Sequence, residues 1–349
     1  MKTFKISLKI IGQIMFVIIF FSTLQAKNLD KFNRPSSVSN YFSGILLLSD
    51  NQYSESFKFF KKLNGLEESH VNFSVKYLYS LTNSGNLNEA FNYSRNLEKK
   101  NLDNFESNLI TGVFYLKNSN LELAKKYFLK AKDINSKSIL NNYVSNTLYN
   151  WSNLQNANIN YATLELNKLD KRFENLKKIQ KVFLNCYYKT LNTDELFVDL
   201  TSNNKIDFSR YNYFHASYVA SSGKIDEAKK IIQSGLKLYP RNLLLNQYKI
   251  DLNNTKNKSA FNCKKEKHVI AEILYITANA LSSQSIYFSS NFFLNLAKFL
   301  NEDFYSFDIL LAENFYKTGK FQPAKLIYQN LSKKGEAFKW YSTKQLARI

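Results

Sequence analysis

The sequence predicts an all-α chain, a solenoid of antiparallel helix pairs, on three observations. Ser56, Ala90 and Ala124 recur at intervals of 34 residues, the period of a two-helix repeat. Only 3 prolines and 9 glycines interrupt 349 residues, which favours helices over a many-turned β architecture. Apolar side chains make up 44% of the chain, too many for wholesale disorder. The length exceeds one ordinary core, so two domains or a repeat array are the architectures to weigh.

The N-terminus reads as an export signal. Lys2, Lys5 and Lys9 precede an apolar run from Ile10 to Phe21, and small or polar residues lead to Ala26. This is the layout of a signal peptide cleaved after Ala26. The run is shorter than the roughly 20 residues of a membrane-spanning helix, and an uncleaved inner-membrane anchor is the alternative. No cysteine lies near the cut to carry a lipid.

The repeats follow in order. The first unit carries Gly44, Leu47, Tyr53, Ser56, Phe60 and Leu63, and the second Leu78, Leu81, Gly85, Leu87, Ala90 and Leu97. In the third, Gly112 and Tyr115 lie twelve and nine residues before Ala124, and Phe128 and Ala131 four and seven after. Small residues at Gly112 and Ala124 let two helices approach, while Tyr115 and Phe128 fill the gaps beside them. The same pattern surrounds Ala228 (Ala216, Val219, Gly223, Ile225, Ile232, Gly235), Ser290 (Ala278, Leu281, Leu294, Ala297) and Ala324 (Ala312, Phe315, Gly319, Phe321, Tyr328, Leu331). Pro240 ends one second helix, and Pro323 stands in the first turn of another, where a missing N–H costs little.

Those residues resemble the tetratricopeptide repeat (TPR) consensus. The resemblance implies an all-α, right-handed α-solenoid, a TPR-like superhelix of roughly eight helix pairs. With the signal peptide and the segment Asn33-Arg34-Pro35-Ser36-Ser37, the chain resembles exported TPR-containing proteins of alphaproteobacteria.

Between Ala124 and Ala228 the gap is close to three periods, so two degenerate pairs are expected, roughly Ile139–Leu169 and Phe173–Leu200. The polar, basic stretch Asn253–Lys267 reads as an exposed loop between two sub-arrays. After Gly335 a further first helix (Phe338, Trp340, Tyr341, Leu346) stops at Ile349 without a partner. An uncapped apolar helix implies a truncated array, or a face that docks on something. The organisation read from the sequence is a signal peptide at 1–26, a linker at 27–37, an N-terminal array at 38–252 (degenerate at 138–205), a basic loop at 253–267 and a C-terminal array at 268–349.

The formal charge of +20 invites nucleic acid or an acidic membrane as partner. The basic residues are nearly all lysine, and no cluster of Arg forks with aromatic platforms is evident. Lysine, Asn, Ile, Phe and Tyr share A/T-rich codons, so codon bias accounts for much of the excess. Nucleic acid is therefore not favoured, and a basic surface binding RNA or, weakly, anionic lipid is kept as an alternative. Cys186 and Cys263 stand 77 apart in different units, and the reading adopted is free or buried thiols, with a disulfide as the alternative.

Catalytic and metal chemistry is sparse. His215 precedes Ala216 at a packing position and reads as core. Cys263 and His268 supply two candidate zinc ligands where a structural site wants four. Glu67-Glu68 and Asp194-Glu195 read as helix-start carboxylates. No phosphate-cradling glycine loop, nucleophile elbow or His-Glu-x-x-His is present. The expectation is a protein that is not an enzyme, with no metal and no cofactor.

By the TPR resemblance, first helices line a concave face at positions fifteen, eleven and eight before each ladder residue. These are Tyr41, Ile45 and Leu48, then Val75, Tyr79 and Thr82, then Leu109, Val113 and Leu116. Later units supply Tyr213, Ser217 and Ala220, and Ile309, Glu313 and Tyr316. The Lys and Asn of the family's carboxylate clamp are absent there. The predicted groove is apolar and aromatic (Tyr41, Ile45, Leu48, Val75, Tyr79, Leu109, Val113, Leu116, Tyr213, Tyr316), suited to a hydrophobic peptide or amphipathic helix. Self-filling by the chain is the competing reading. The expected role is a periplasmic protein-binding scaffold; a regulatory or assembly arm of an envelope complex or longer polypeptide is the rival.

Overall fold

A computed structural model describes residues 32–134, 138–202, 207–254 and 259–349. The signal-peptide reading and part of the basic loop lie outside the described residues. No strand occurs among the described residues. The chain divides into two compact units, one up to Ser84 and one from Gly85 to Ile349.

The first unit contains α1 (Pro35–Ser49), α2 (Tyr53–Lys61), a 3₁₀ turn (Leu66–Glu68) and α3 (Val71–Asn83). Pro stands in the first turn of α1, where its fixed φ suits a helix start. The α1–α2 crossing is close because Gly44 has no Cβ: one added there would fall 2.4 Å from Phe60. The fully buried Ser56 donates to the Gly44 carbonyl at 2.8 Å across the same crossing. Phe60 meets Phe73 of α3 edge-on at 5.6 Å, and α1 and α3 lie side by side.

The second unit runs through α4 (Leu87–Lys99), α5 (Phe105–Lys117), α6 (Leu121–Asp133), α7 (Ile139–Ser152), α8 (Ile159–Asn167), α9 (Glu174–Tyr188) and α10 (Thr193–Thr201). It continues with α11 (Tyr211–Ser221), α12 (Ile225–Leu238), α13 (Leu243–Asn253), α14 (Glu266–Ser283), α15 (Tyr287–Leu300), α16 (Ser306–Lys317), α17 (Phe321–Leu331) and α18 (Glu336–Leu346). Consecutive helices pack in pairs, the TPR-like solenoid order. The crossings repeat to the atom. Gly112 stands against Phe128 as Gly44 does against Phe60, again 2.4 Å for an added Cβ. Ser290 donates to the Ala278 carbonyl at 2.8 Å, as Ser56 does to Gly44. Ser56, Ala90, Ala124, Ala228, Ser290 and Ala324 are all fully buried.

A second periodic feature is conformational. Asn51, Gly85, Ser119, Gly223, Ser285 and Gly319 all have positive φ, between 57° and 83°, each five residues before a ladder residue. This left-handed residue reverses the chain between two helices. Glycine and asparagine meet it at little cost, whereas serine carries a Cβ penalty.

The two degenerate pairs are present as α7–α8 and α9–α10. Their packing includes large buried residues joined by hydrogen bonds. Trp151, 1% exposed, donates its indole N–H to Gln180 at 3.1 Å, and Gln180 donates to the Tyr143 hydroxyl at 3.1 Å.

Non-neighbour contacts are superposed on the pair order. Helix α14 packs on α7 as well as α15, and α15 packs on α5. Buried Glu272 of α14 accepts two hydrogen bonds from Arg210, at 2.7 and 2.8 Å. The Arg210 guanidinium lies 4.0 Å from the Tyr275 ring centroid and 4.9 Å from that of Phe304. Lys117 pairs with Glu302 at 2.6 Å, and Phe114 stacks on Phe299 at 6.0 Å.

The segment expected as an exposed loop is partly buried. Phe261 and Cys263 are each 5% exposed, because Phe261 packs against Phe183 and Phe214. The free-thiol reading is corrected: Cys186 and Cys263 form a disulfide with their Cα atoms 6.0 Å apart. Folding the 259–265 segment onto α9 and α11 brings the two together across 77 residues.

The last helix is docked. Phe338 is buried, α18 packs on α13 as well as α17, and the Ala337 N–H donates to Gln247 at 3.1 Å.

Candidate binding surface

In the first unit, α1 and α3 bring Tyr41, Ile45, Val75 and Tyr79 onto neighbouring helices. All four are half-buried. Four-residue spacing keeps each pair on one helical face. Leu48 of the same register is 2% exposed and belongs to the core. Tyr41 is fixed by a 2.6 Å hydrogen bond between its hydroxyl and His70 Nε2, and by edge-on packing on that ring at 5.2 Å. Burial pushes the Tyr41 hydroxyl above its usual pKa. The tyrosine therefore presents a neutral, oriented ring.

The apolar surface extends beyond the residues read from the register. Val38, Phe42 and Leu46 on α1 are 43%, 59% and 69% exposed, and Val71 at the start of α3 is 69% exposed. Their spacing of four along α1 was the available signal, on a face adjoining the one the repeat register marks.

In the second unit the register leads inward. Leu109, Val113 and Leu116 of α5 are at most 2% exposed, on the helix against which α15 packs. Tyr213 is 3% exposed, between Tyr248 at 4.9 Å and Phe304 at 5.7 Å, with its hydroxyl 3.0 Å from Ser259. Burial raises its pKa to about 12. These four cannot serve as an open groove while the chain holds this fold. Tyr316 is half-buried, beside Phe321 at 5.6 Å and under the Arg348 guanidinium at 5.2 Å. Of the expected groove residues, Leu48, Leu109, Val113, Leu116 and Tyr213 are thus core, and Tyr41, Ile45, Val75, Tyr79 and Tyr316 are half-buried.

The remaining candidates resolve as structure. His215 stacks on Phe197 at 5.0 Å and its Nε2 lies 3.0 Å from Asp194, a partner not evident in the sequence. Burial depresses its pKa, and Asp194 opposes the shift. Glu67, nearly fully buried, accepts from the Gly65 N–H at 2.9 Å. Cys263 is committed to its disulfide, and no group of three or more His, Cys, Asp or Glu is placed to hold a metal among the described residues. A cavity of 590 Å³ between α11, α13 and the 300–305 turn mixes Lys117, Lys267 and Lys334 with Asp251, Glu302 and Asp303. No described helix is long and apolar enough to cross a membrane.

The paired helices, the repeated crossings and the periodic left-handed turn define a helical-repeat protein of TPR-like fold. No family model matches the chain, and no curated protein does. Among solved structures, the human IFIT1 dimer with m7Gppp-AAAA is similar at 17% identity, covering 88% of this chain and 71% of that one, with a TM-score of 0.29. A monomeric IFIT1 mutant with Gppp-AAAA shares 15% identity over 84% of this chain and 68% of that one, with a TM-score of 0.29. The Naa15/Naa10 complex bound to HypK-THB shares 12% identity over 84% of this chain, with a TM-score of 0.24; the chain spans 63% of its length.

Proposed function

We propose that this protein is a non-catalytic, protein-binding scaffold of the cell envelope that captures a hydrophobic partner segment on the α1–α3 face. The observation that carries the reading is the contrast between the units. Tyr41, Ile45, Val75 and Tyr79 stay half-buried beside exposed Phe42 and Leu46, whereas the equivalent α5 residues are core. Apolar patches left open on a folded protein mark interaction sites, and an aromatic anchor held by a second residue loses little freedom on binding. The basic start and the Ile10–Phe21 run support export, and the Cys186–Cys263 disulfide suits an oxidising compartment.

The test is a pull-down from envelope extract with the chain from Lys27, comparing wild type with Tyr41→Ala/Tyr79→Ala. Weaker capture by a variant that keeps its circular dichroism spectrum supports the proposal. Unchanged capture overturns the surface assignment.

A further inference from the structure

The Cys186–Cys263 bridge sets lysines against one another. Lys189 follows Cys186 by three residues in a left-handed turn, with φ at +55°, and Lys264 adjoins Cys263. Both line one cavity beside the bridge, and Lys189 holds the Lys264 ammonium below its usual pKa. Like charges brought together raise the free energy of the folded chain unless a counter-charge joins them. Other lysines of this unit have one: Lys130 pairs with Glu98, Lys117 with Glu302 and Lys298 with Asp308.

Both lysines line a cavity of 710 Å³, together with Lys265, Tyr218, Ser222 and His268. No Asp or Glu is among its described lining residues. The His268 Nδ1 accepts the Asn262 N–H at 3.2 Å, which leaves the hydrogen of the neutral ring on Nε2. Burial, then Lys265 and Lys267, lower its pKa to about 4, so the ring is neutral at pH 7. The cavity therefore offers ammonium groups and hydroxyls with no carboxylate among its described lining residues, while His268 and Lys265 also line the first cavity, from which Asp303 acts on His268. Its size falls within the range of small-molecule sites.

We propose that this cavity is an oxyanion site that takes a phosphate group, held by Lys189, Lys264 and Lys265. The group reaches it either on a free phosphate or phosphomonoester, or on the headgroup of an anionic lipid. Phosphate oxygens accept several charge-assisted hydrogen bonds at once, which is what converging lysines supply.

The test has two arms. In the first, inorganic phosphate and glycerol 3-phosphate are titrated into the chain by calorimetry. In the second, phosphatidylcholine vesicles with and without phosphatidylglycerol are floated with it. Each arm compares wild type with Lys189→Ala/Lys264→Ala, whose side chains are exposed and whose removal leaves the core intact. The proposal expects binding in at least one arm, weakened about tenfold or more in the double variant. Tyr41→Ala/Tyr79→Ala should bind phosphate like wild type. Binding in the first arm alone identifies a soluble ligand; binding only to phosphatidylglycerol vesicles identifies a headgroup. No binding in either arm, or equal binding by the lysine variant, overturns the proposal.

Discussion

Glu272 tests how the helices from α14 onward are held. Its carboxylate is fully buried and takes both Arg210 hydrogen bonds, while Arg210 is 18% exposed and lies against Tyr275 and Phe304. Glu272→Leu removes the acceptor and strands a guanidinium that water barely reaches. Breaking a buried pair from one side costs about 3–5 kcal/mol, because an uncompensated charge remains. Arg210→Met/Glu272→Leu removes both charges and fills the space with apolar atoms. That double variant should come within about 1 kcal/mol of wild type. Urea unfolding followed by Trp151 fluorescence reads both, since Trp151 is buried on α7, the helix on which α14 packs. A single variant as stable as wild type would refute the reasoning. So would a double variant as unstable as the single one, since the cost would then not come from the stranded charge.

Two further outcomes follow from the packing and the charges. Gly112→Ala places a Cβ 2.4 Å from the buried Phe128 ring and should lose about 1–3 kcal/mol in urea unfolding, part of it restored by Phe128→Leu. His268 titrates at about 4 in the folded chain against about 6.5 unfolded, so the unfolded state binds its proton first as pH falls. Its contribution, about 2 kcal/mol after allowance for partial exposure, is present above pH 6.5 and lost progressively towards pH 4. In phosphate-free buffer, His268→Gln should flatten the stability profile across that window.

The ladder was legible because a helix crossing restricts residue size: only Gly fits where Gly44 meets Phe60 or Gly112 meets Phe128, and the fully buried ladder positions across the crossings hold only Ala or Ser. The left-handed turn residue was legible only where it is glycine, at Gly85, Gly223 and Gly319. Ser119 and Ser285 occupy the same conformation with no compositional mark. The 34-residue spacing lapses after α6, where buried Trp151, Gln180 and Tyr143 link α7 to α9 by hydrogen bonds. The candidate surface was legible only in part. A repeat register marks which residues face inward along a pair, but it carries no information about which distant helix arrives there. Leu109, Val113 and Leu116 are buried on α5, a helix on which α15, far along the sequence, also packs. The disulfide escaped for the same reason: a spacing of 77 residues fixes no distance, and the burial of Phe261 beside it was hidden in a polar stretch.

The most direct test of the account compares two valines by thiol labelling. Val75→Cys sits on the half-buried first-unit face, and Val113→Cys sits on α5 where valine is 1% exposed. In the folded chain, Val75→Cys should react with a maleimide and be shielded once the proposed partner is captured, while Val113→Cys should react only after unfolding in urea. Native labelling at Val113→Cys, or labelling at Val75→Cys that a bound partner leaves unchanged, would contradict it.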